Sequence, residues 1–88
     1  MTQLKKQQYN LSLSSFTTAL SFAQNSGIRS IEALLLNYIG ATYEMLGEIE
    51  SARNYYTQLL KIRQEVHDQK GEAKTLANLA STYRSQGQ

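Results

Sequence analysis

The feature that most constrains this chain is an internal repeat. Glu32-Ala33, Leu36, Thr42-Tyr43 and Gly47 return as Glu72-Ala73, Leu76, Thr82-Tyr83 and Gly87, each displaced by 40 residues. Six of the 16 positions from Glu32 to Gly47 are identical in the second copy, and Ile39 and Gly40 are matched by Leu79 and Ala80. Self-similarity at a fixed period means that one supersecondary unit is built more than once and buries its apolar side on its neighbours. That constraint outranks local propensity.

The unit is helical. Proline is absent, and the five glycines are dispersed, a composition that favours long helices. Residues 1–8 are polar apart from Met1 and Leu4 and read as a short or frayed lead-in. A first helix is expected from about Tyr9 to Ser26, because Leu13, Phe16, Leu20 and Ala23 recur on one helical face. Gly27 supplies its stop. A second helix is expected from Ser30, read as an N-cap, to Gly47, with Leu35, Leu36, Ile39, Tyr43 and Leu46 on its apolar face. Gly40 lies within that face. A glycine inside a helix costs about 1 kcal/mol relative to alanine, and close approach of another helix is the expected reason for it. A third helix, about Ile49 to Val66, carries Ala52, Tyr55, Tyr56, Leu59, Leu60 and Ile62. A fourth, from around Gly71 to Gly87, is expected to use Leu76, Leu79, Ala80 and Tyr83. The fold class is therefore all-α, with four antiparallel helices joined by short turns.

Several function classes lack residues to stand on. There is no cysteine, which removes disulfides, thiolate nucleophiles and cysteine-bearing zinc sites. His67, the sole histidine, sits at a helix end where Gly27 sits in the earlier unit, and is read as a terminating residue. His67-Asp68 lacks the third ligand a zinc site requires. Ser12, Ser14 and Ser15 have no base nearby in sequence, and Glu48 and Glu50 stand at a helix start, where negative charge is favoured anyway. No catalytic residue, metal or cofactor is expected. The net charge of +2 comes from scattered Lys and Arg, which argues against a nucleic-acid partner. Tyr43, Tyr56 and Tyr83 fall on repeat core positions, whereas Tyr38 and Tyr55 are less constrained. The longest fully apolar run, Ala33 to Leu36, is far short of the roughly 20 residues of a membrane span. No apolar region of a signal peptide follows Lys5 and Lys6. The expectation is a soluble chain without a membrane partner, with the cytoplasm as the default location.

Ile39-Gly40-Ala41-Thr42-Tyr43, the turn at Gly47 and Ala52-x-x-x-Tyr56 resemble the tetratricopeptide repeat. That repeat, of about 34 residues, has Leu-Gly-x-x-Tyr in its first helix and Ala-x-x-x-Phe in its second. Leu79-Ala80-Ser81-Thr82-Tyr83 resembles the first run again, and Ser12-x-x-x-Phe16 is a weaker form of the second. Leu36 stands where the family often has tryptophan. The 40-residue period and the Gly71-Glu72-Ala73 opening look like the longer-repeat subgroup, which includes spindle-orienting scaffolds, kinesin light chains and bacterial multi-repeat proteins. The resemblance implies a single domain over 1–88, an α-solenoid fragment. In it, 9–26 is the second helix of a preceding repeat, 30–67 one complete repeat, and 71–87 the first helix of a following repeat.

The family resemblance also implies a function: a non-enzymatic scaffold that binds a protein or peptide on the concave wall formed by first helices. It places Asn37, Ala41, Glu44 and Met45 on that wall, with Lys74, Ala77, Asn78, Ser81 and Arg84 from the next unit. Ala41 and Ala77 stand where a clamp for a C-terminal carboxylate would need polar partners, so that mode is disfavoured. Two readings of Asn37 and Asn78 stay open, a groove for an extended peptide and plain solvation or a helix–helix hydrogen bond. Because the two outer helices lack partners, two further alternatives arise. One is a homo-oligomer through Phe16, Leu20, Leu76, Leu79 and Tyr83, joined head to tail or by a helix swap. The other is a segment of a larger regulatory or signalling protein.

Overall fold

The computed structural model describes residues 1–87 and contains α1 (Gln3–Ser26), α2 (Arg29–Met45), α3 (Ile49–Glu65) and α4 (Gln69–Ser85). No strand occurs among the described residues. Extensive packing joins only consecutive helices, and the chain forms a slab of 38 × 32 × 16 Å. This is the nearest-neighbour arrangement that a helical repeat requires.

The turns show that the 40-residue period is made of two equal steps. The left-handed residue after each helix is Gly27, Gly47, His67 or Gly87, with φ of 70°, 78°, 57° and 76°. At the first three ends two backbone bonds close the helix in the Schellman pattern. Ile28 N–H donates to Ala23 O at 3.0 Å, Glu48 N–H to Tyr43 O at 2.9 Å and Asp68 N–H to Arg63 O at 2.9 Å. The same turn thus recurs at a fixed step, and a helix starts two residues after each of Gly27, Gly47 and His67. His67 does at the third turn what glycine does at the others, as its position at a helix end implied.

The helix limits correct three expectations. α1 begins at Gln3, not near Tyr9: Thr2 caps it, accepting from Lys5 N–H at 3.1 Å. The residues that follow are Gln, Leu and Lys, good helix formers with no need of a buried face. Ser30 is not the cap of α2. That helix starts at Arg29 straight out of the Gly27-Ile28 turn, with no side-chain cap. α4 begins at Gln69, and Asp68 caps it by accepting from Gly71 N–H at 2.9 Å.

Leu13, Leu20 and Ala23 of α1, Ala33, Leu35, Leu36 and Ile39 of α2, and Ala52, Tyr56, Leu59 and Ile62 of α3 form the core. Gly40 is explained by its neighbour, since a Cβ there would lie 2.6 Å from the Tyr56 ring. α4 departs from expectation. The residues it buries are Gly71, Thr75 and Thr82, and each threonine hydroxyl donates to its own helix, to Gly71 O at 2.9 Å and Leu79 O at 2.6 Å. Its apolar positions Leu76, Ala80 and Tyr83 are exposed, and Leu79 is half-buried. The fourth helix therefore docks through a mostly polar face, with Leu79 packed against the core, and leaves Leu76, Ala80 and Tyr83 open.

Candidate protein-interaction face

The outward side of α2 carries Leu34, Tyr38, Ala41 and Met45, all exposed. Their steps of four, three and four residues put them on one stripe of the helix. Asn37 stands beside the stripe, half-buried. Tyr38 is steadied from α1, its ring stacked on Phe16 with centroids 5.6 Å apart. On α4 the positions shifted by one repeat are polar or small. Lys74, Ala77 and Arg84 are exposed, and Asn78 and Ser81 are half-buried.

One carboxylate ties the two first-type helices together. The Ser81 hydroxyl donates to Glu44 Oε2 at 3.0 Å, and the Tyr56 hydroxyl donates to Oε1 at 2.8 Å. Glu44 of α2 thus bridges α3 and α4. Burial, then the hydrogen bond and charge of Glu44, push the Tyr56 phenol well above its ordinary range, so it remains a protonated donor. Glu44 and Ser81, both expected on the binding wall, are brought together and engage each other. Asn37 and Asn78 make no side-chain hydrogen bond among the described residues, so neither forms the helix–helix bond considered from sequence.

The far edge of α4 is set by Arg53. Its guanidinium lies 3.9 Å from the Tyr83 ring centroid, donates to Thr82 Oγ1 at 3.3 Å and also to Gln86. At the other end of α4, Arg63 donates to Asp68 Oδ2 at 2.7 Å. Asp68 is held below the ordinary carboxylate range, first by the Gly71 N–H and then by the charge of Arg63. These contacts fix where α4 sits against α3, and so where Lys74, Asn78 and Arg84 are presented.

Of the residues expected to serve self-association, Leu20 is only 7% exposed, and its burial in the α1–α2 contact removes it from any second chain. Phe16 is half-buried on Tyr38. Leu34 and Tyr38 are exposed on the outward side of α2 and were not among the residues expected there. The repeat carried only part of the signal: Leu34 and Tyr38 are matched by Lys74 and Asn78, but Leu35 and Thr75 show the same change of polarity and are both buried. Among the described residues there is no group of three or more metal-ligating side chains, and no helix is long and apolar enough to cross a membrane.

No curated protein matches the chain. Among solved structures, the designed protein DA05, determined by solution NMR, superposes with a TM-score of 0.79. The match covers 86% of this chain and 76% of that one at 20% sequence identity, a likeness of fold alone. The sequence profile described as tetratricopeptide repeat matches twice, over residues 1–65 and 30–88. Together with the 40-residue period and the stacked helix hairpins, those overlapping matches establish that the chain belongs to the tetratricopeptide repeat family.

Proposed function

We propose that this chain is a non-enzymatic scaffold whose α2–α4 wall receives an extended segment of a partner protein. Tetratricopeptide repeats generally mediate protein–protein interaction. The observation that carries the reading is the uncovered stripe Leu34, Tyr38, Ala41 and Met45. Exposed apolar residues gathered on one face, with polar residues beside them, mark interaction surfaces, whereas scattered ones do not. In this reading 30–67 is the complete repeat, and its first helix supplies the apolar half of the wall. The first helix of the following repeat supplies Lys74, Asn78 and Arg84.

The chemistry of that wall selects its ligand. Apolar side chains of the partner fit the α2 stripe. The Asn37 and Asn78 amides can donate to and accept from an extended backbone, which gives affinity independent of side-chain identity. Lys74 and Arg84 favour a carboxylate on the side toward α4. The partner segment is thus extended, apolar on one side and acidic at the α4 edge.

Selection of peptides by display on the immobilised chain, followed by titration of the selected peptide, tests this. Leu34→Ser and the pair Asn37→Ala with Asn78→Ala should each weaken binding at least tenfold, about 1.4 kcal/mol, with helicity unchanged. Gln58→Ala, at an exposed position of α3, should have no effect. A selected peptide whose affinity ignores the wall variants overturns the reading.

A further inference from the structure

The two ends of the helix row each present half of an interface that the middle of the row contains complete. In the α2–α3 contact, Leu36 is 0% exposed, and Ala33, Ile39 and Gly40 are buried with it. One period later α4 carries Ala73, Leu76, Leu79, Ala80 and Tyr83, with Leu76 49% and Tyr83 45% exposed. The partner side is preserved at the opposite end. α3 meets α2 through Ala52, Tyr56, Leu59 and Ile62, all buried. Forty residues earlier α1 has Ser12, Phe16, Ala19 and Phe22, the last 70% exposed. Ser15, Ala19, Phe22, Ile28 and Ile31 line an open groove there.

A second, independent observation marks the same surface. No charged residue occurs between Lys6 and Arg29, although much of α1 is exposed. A solvated helix ordinarily carries charge on its outer face, and depletion of charge is the compositional mark of an interface core.

We propose that copies of this chain associate head to tail, the apolar stripe of α4 in one copy seating in the α1 groove of the next. The contact continues the α2–α3 interface across the molecular boundary and places a second-type helix on the open face of α4. Such a contact is heterologous, so it extends into open chains instead of closing as a symmetric dimer. It is also looser than its internal counterpart. Ser15 and Ala19 replace the larger Tyr55 and Leu59 on the α1 side. Ala80 adds a methyl where the internal contact admits only Gly40 against the Tyr56 ring. Association is therefore weak and concentration-dependent. It uses neither Leu34, Asn37 nor Asn78, and stands or falls apart from the peptide-binding reading.

Sedimentation velocity across a wide concentration range tests the proposal, using the full 88-residue chain. The unmodified chain should gain mass with concentration, through dimers to longer species. Phe22→Asp and Leu76→Asp alter exposed side chains, and circular dichroism should show both variants folded. Each alone should be monomeric, because each has lost one half of the only contact available to it. Mixed in equal amounts they should form a dimer and nothing larger, since one intact α4 face then meets one intact α1 groove. Two results overturn the proposal. One is an unmodified chain that stays monomeric at every concentration, which leaves both faces to further helices of a longer polypeptide. The other is loss of association in Leu76→Asp with no effect of Phe22→Asp, which identifies a symmetric α4–α4 contact.

Discussion

At the scale of the residue, Gly40 and Ala80 occupy one repeat position in two environments, and that contrast separates two physical effects. Gly40 faces the buried Tyr56 ring, where a Cβ would come within 2.6 Å of an aromatic carbon. The ring cannot swing away, because its hydroxyl is held by Glu44 at 2.8 Å. Gly40→Ala gains about 1 kcal/mol of helix propensity but overpacks the core, at a cost of about 1–3 kcal/mol. The net effect should be a loss of stability, with Tyr56 displaced. Ala80 is exposed, so Ala80→Gly meets no steric term and should destabilise by about 1 kcal/mol through propensity alone. Chemical denaturation of both variants, with hydrogen exchange at the Glu44 amide as a local probe, checks this. The local probe should respond only to Gly40→Ala. An unperturbed Gly40→Ala protein would mean that the two helices can separate without cost.

At the scale of the element, the docking of α4 leans on its N-terminus, because the residues it fully buries are Gly71, Thr75 and Thr82 and only Leu79 adds apolar packing against the core. Asp68 caps that end and pairs with Arg63. Its carboxyl is held below the ordinary range, chiefly by the Gly71 N–H and next by Arg63. A depressed folded-state value stabilises the protein above the unfolded carboxylate range, and the contribution disappears as pH falls through the folded value. Asp68→Ala should therefore lower the melting temperature at neutral pH, and the gap to the unmodified protein should narrow as the solution is acidified. Asp68→Asn keeps a side chain that can cap and should lose the pH dependence first. Melting curves of the three proteins between acid and neutral pH decide it; a gap independent of pH would remove the charge from the explanation. The same element shows how far sequence reading reaches. Four helices, their order and the stops at Gly27, Gly47 and His67 were legible, because apolar period and left-handed turns are local signals. The start of α1 at Gln3 was not, since a helix held by an N-cap and propensity shows no apolar period. Nor was the inner face of α4, because Thr75 and Thr82 satisfy their hydroxyls within the helix and can be buried without looking apolar. On the outward side of α2, the family register placed Ala41 and Met45, and both are exposed; Tyr38 read only as less constrained than the core tyrosines, and Leu34 carried no signal of its own inside the apolar run Ala33 to Leu36.

At the scale of the whole molecule, stability in a nearest-neighbour array is a sum of unit terms and interfaces, so the same substitution should cost different amounts along the row. Leu36 and Leu76 are one residue type at one repeat position. Leu36 is fully enclosed between helices, and Leu76 is 49% exposed. Leu36→Ala removes buried methyl groups and leaves a cavity, which costs about 2–5 kcal/mol. Leu76→Ala in the monomer removes atoms already half in water, and the loss should stay below about 1 kcal/mol by area at roughly 25 cal/mol/Å². The asymmetry is a property of which side of each helix is covered, not of the residue. It also carries a signature of assembly. A partner that binds only the folded state raises apparent stability by mass action, so covering α4 makes Leu76 progressively more like Leu36 as protein concentration rises. The Leu36→Ala penalty should be nearly independent of concentration, whereas the Leu76→Ala penalty should grow with it. Denaturation of both variants at low and high protein concentration measures the difference directly. A Leu76→Ala penalty that stays small and flat would assign the open face of α4 to solvent or to another polypeptide, and would do so without any reference to molecular mass.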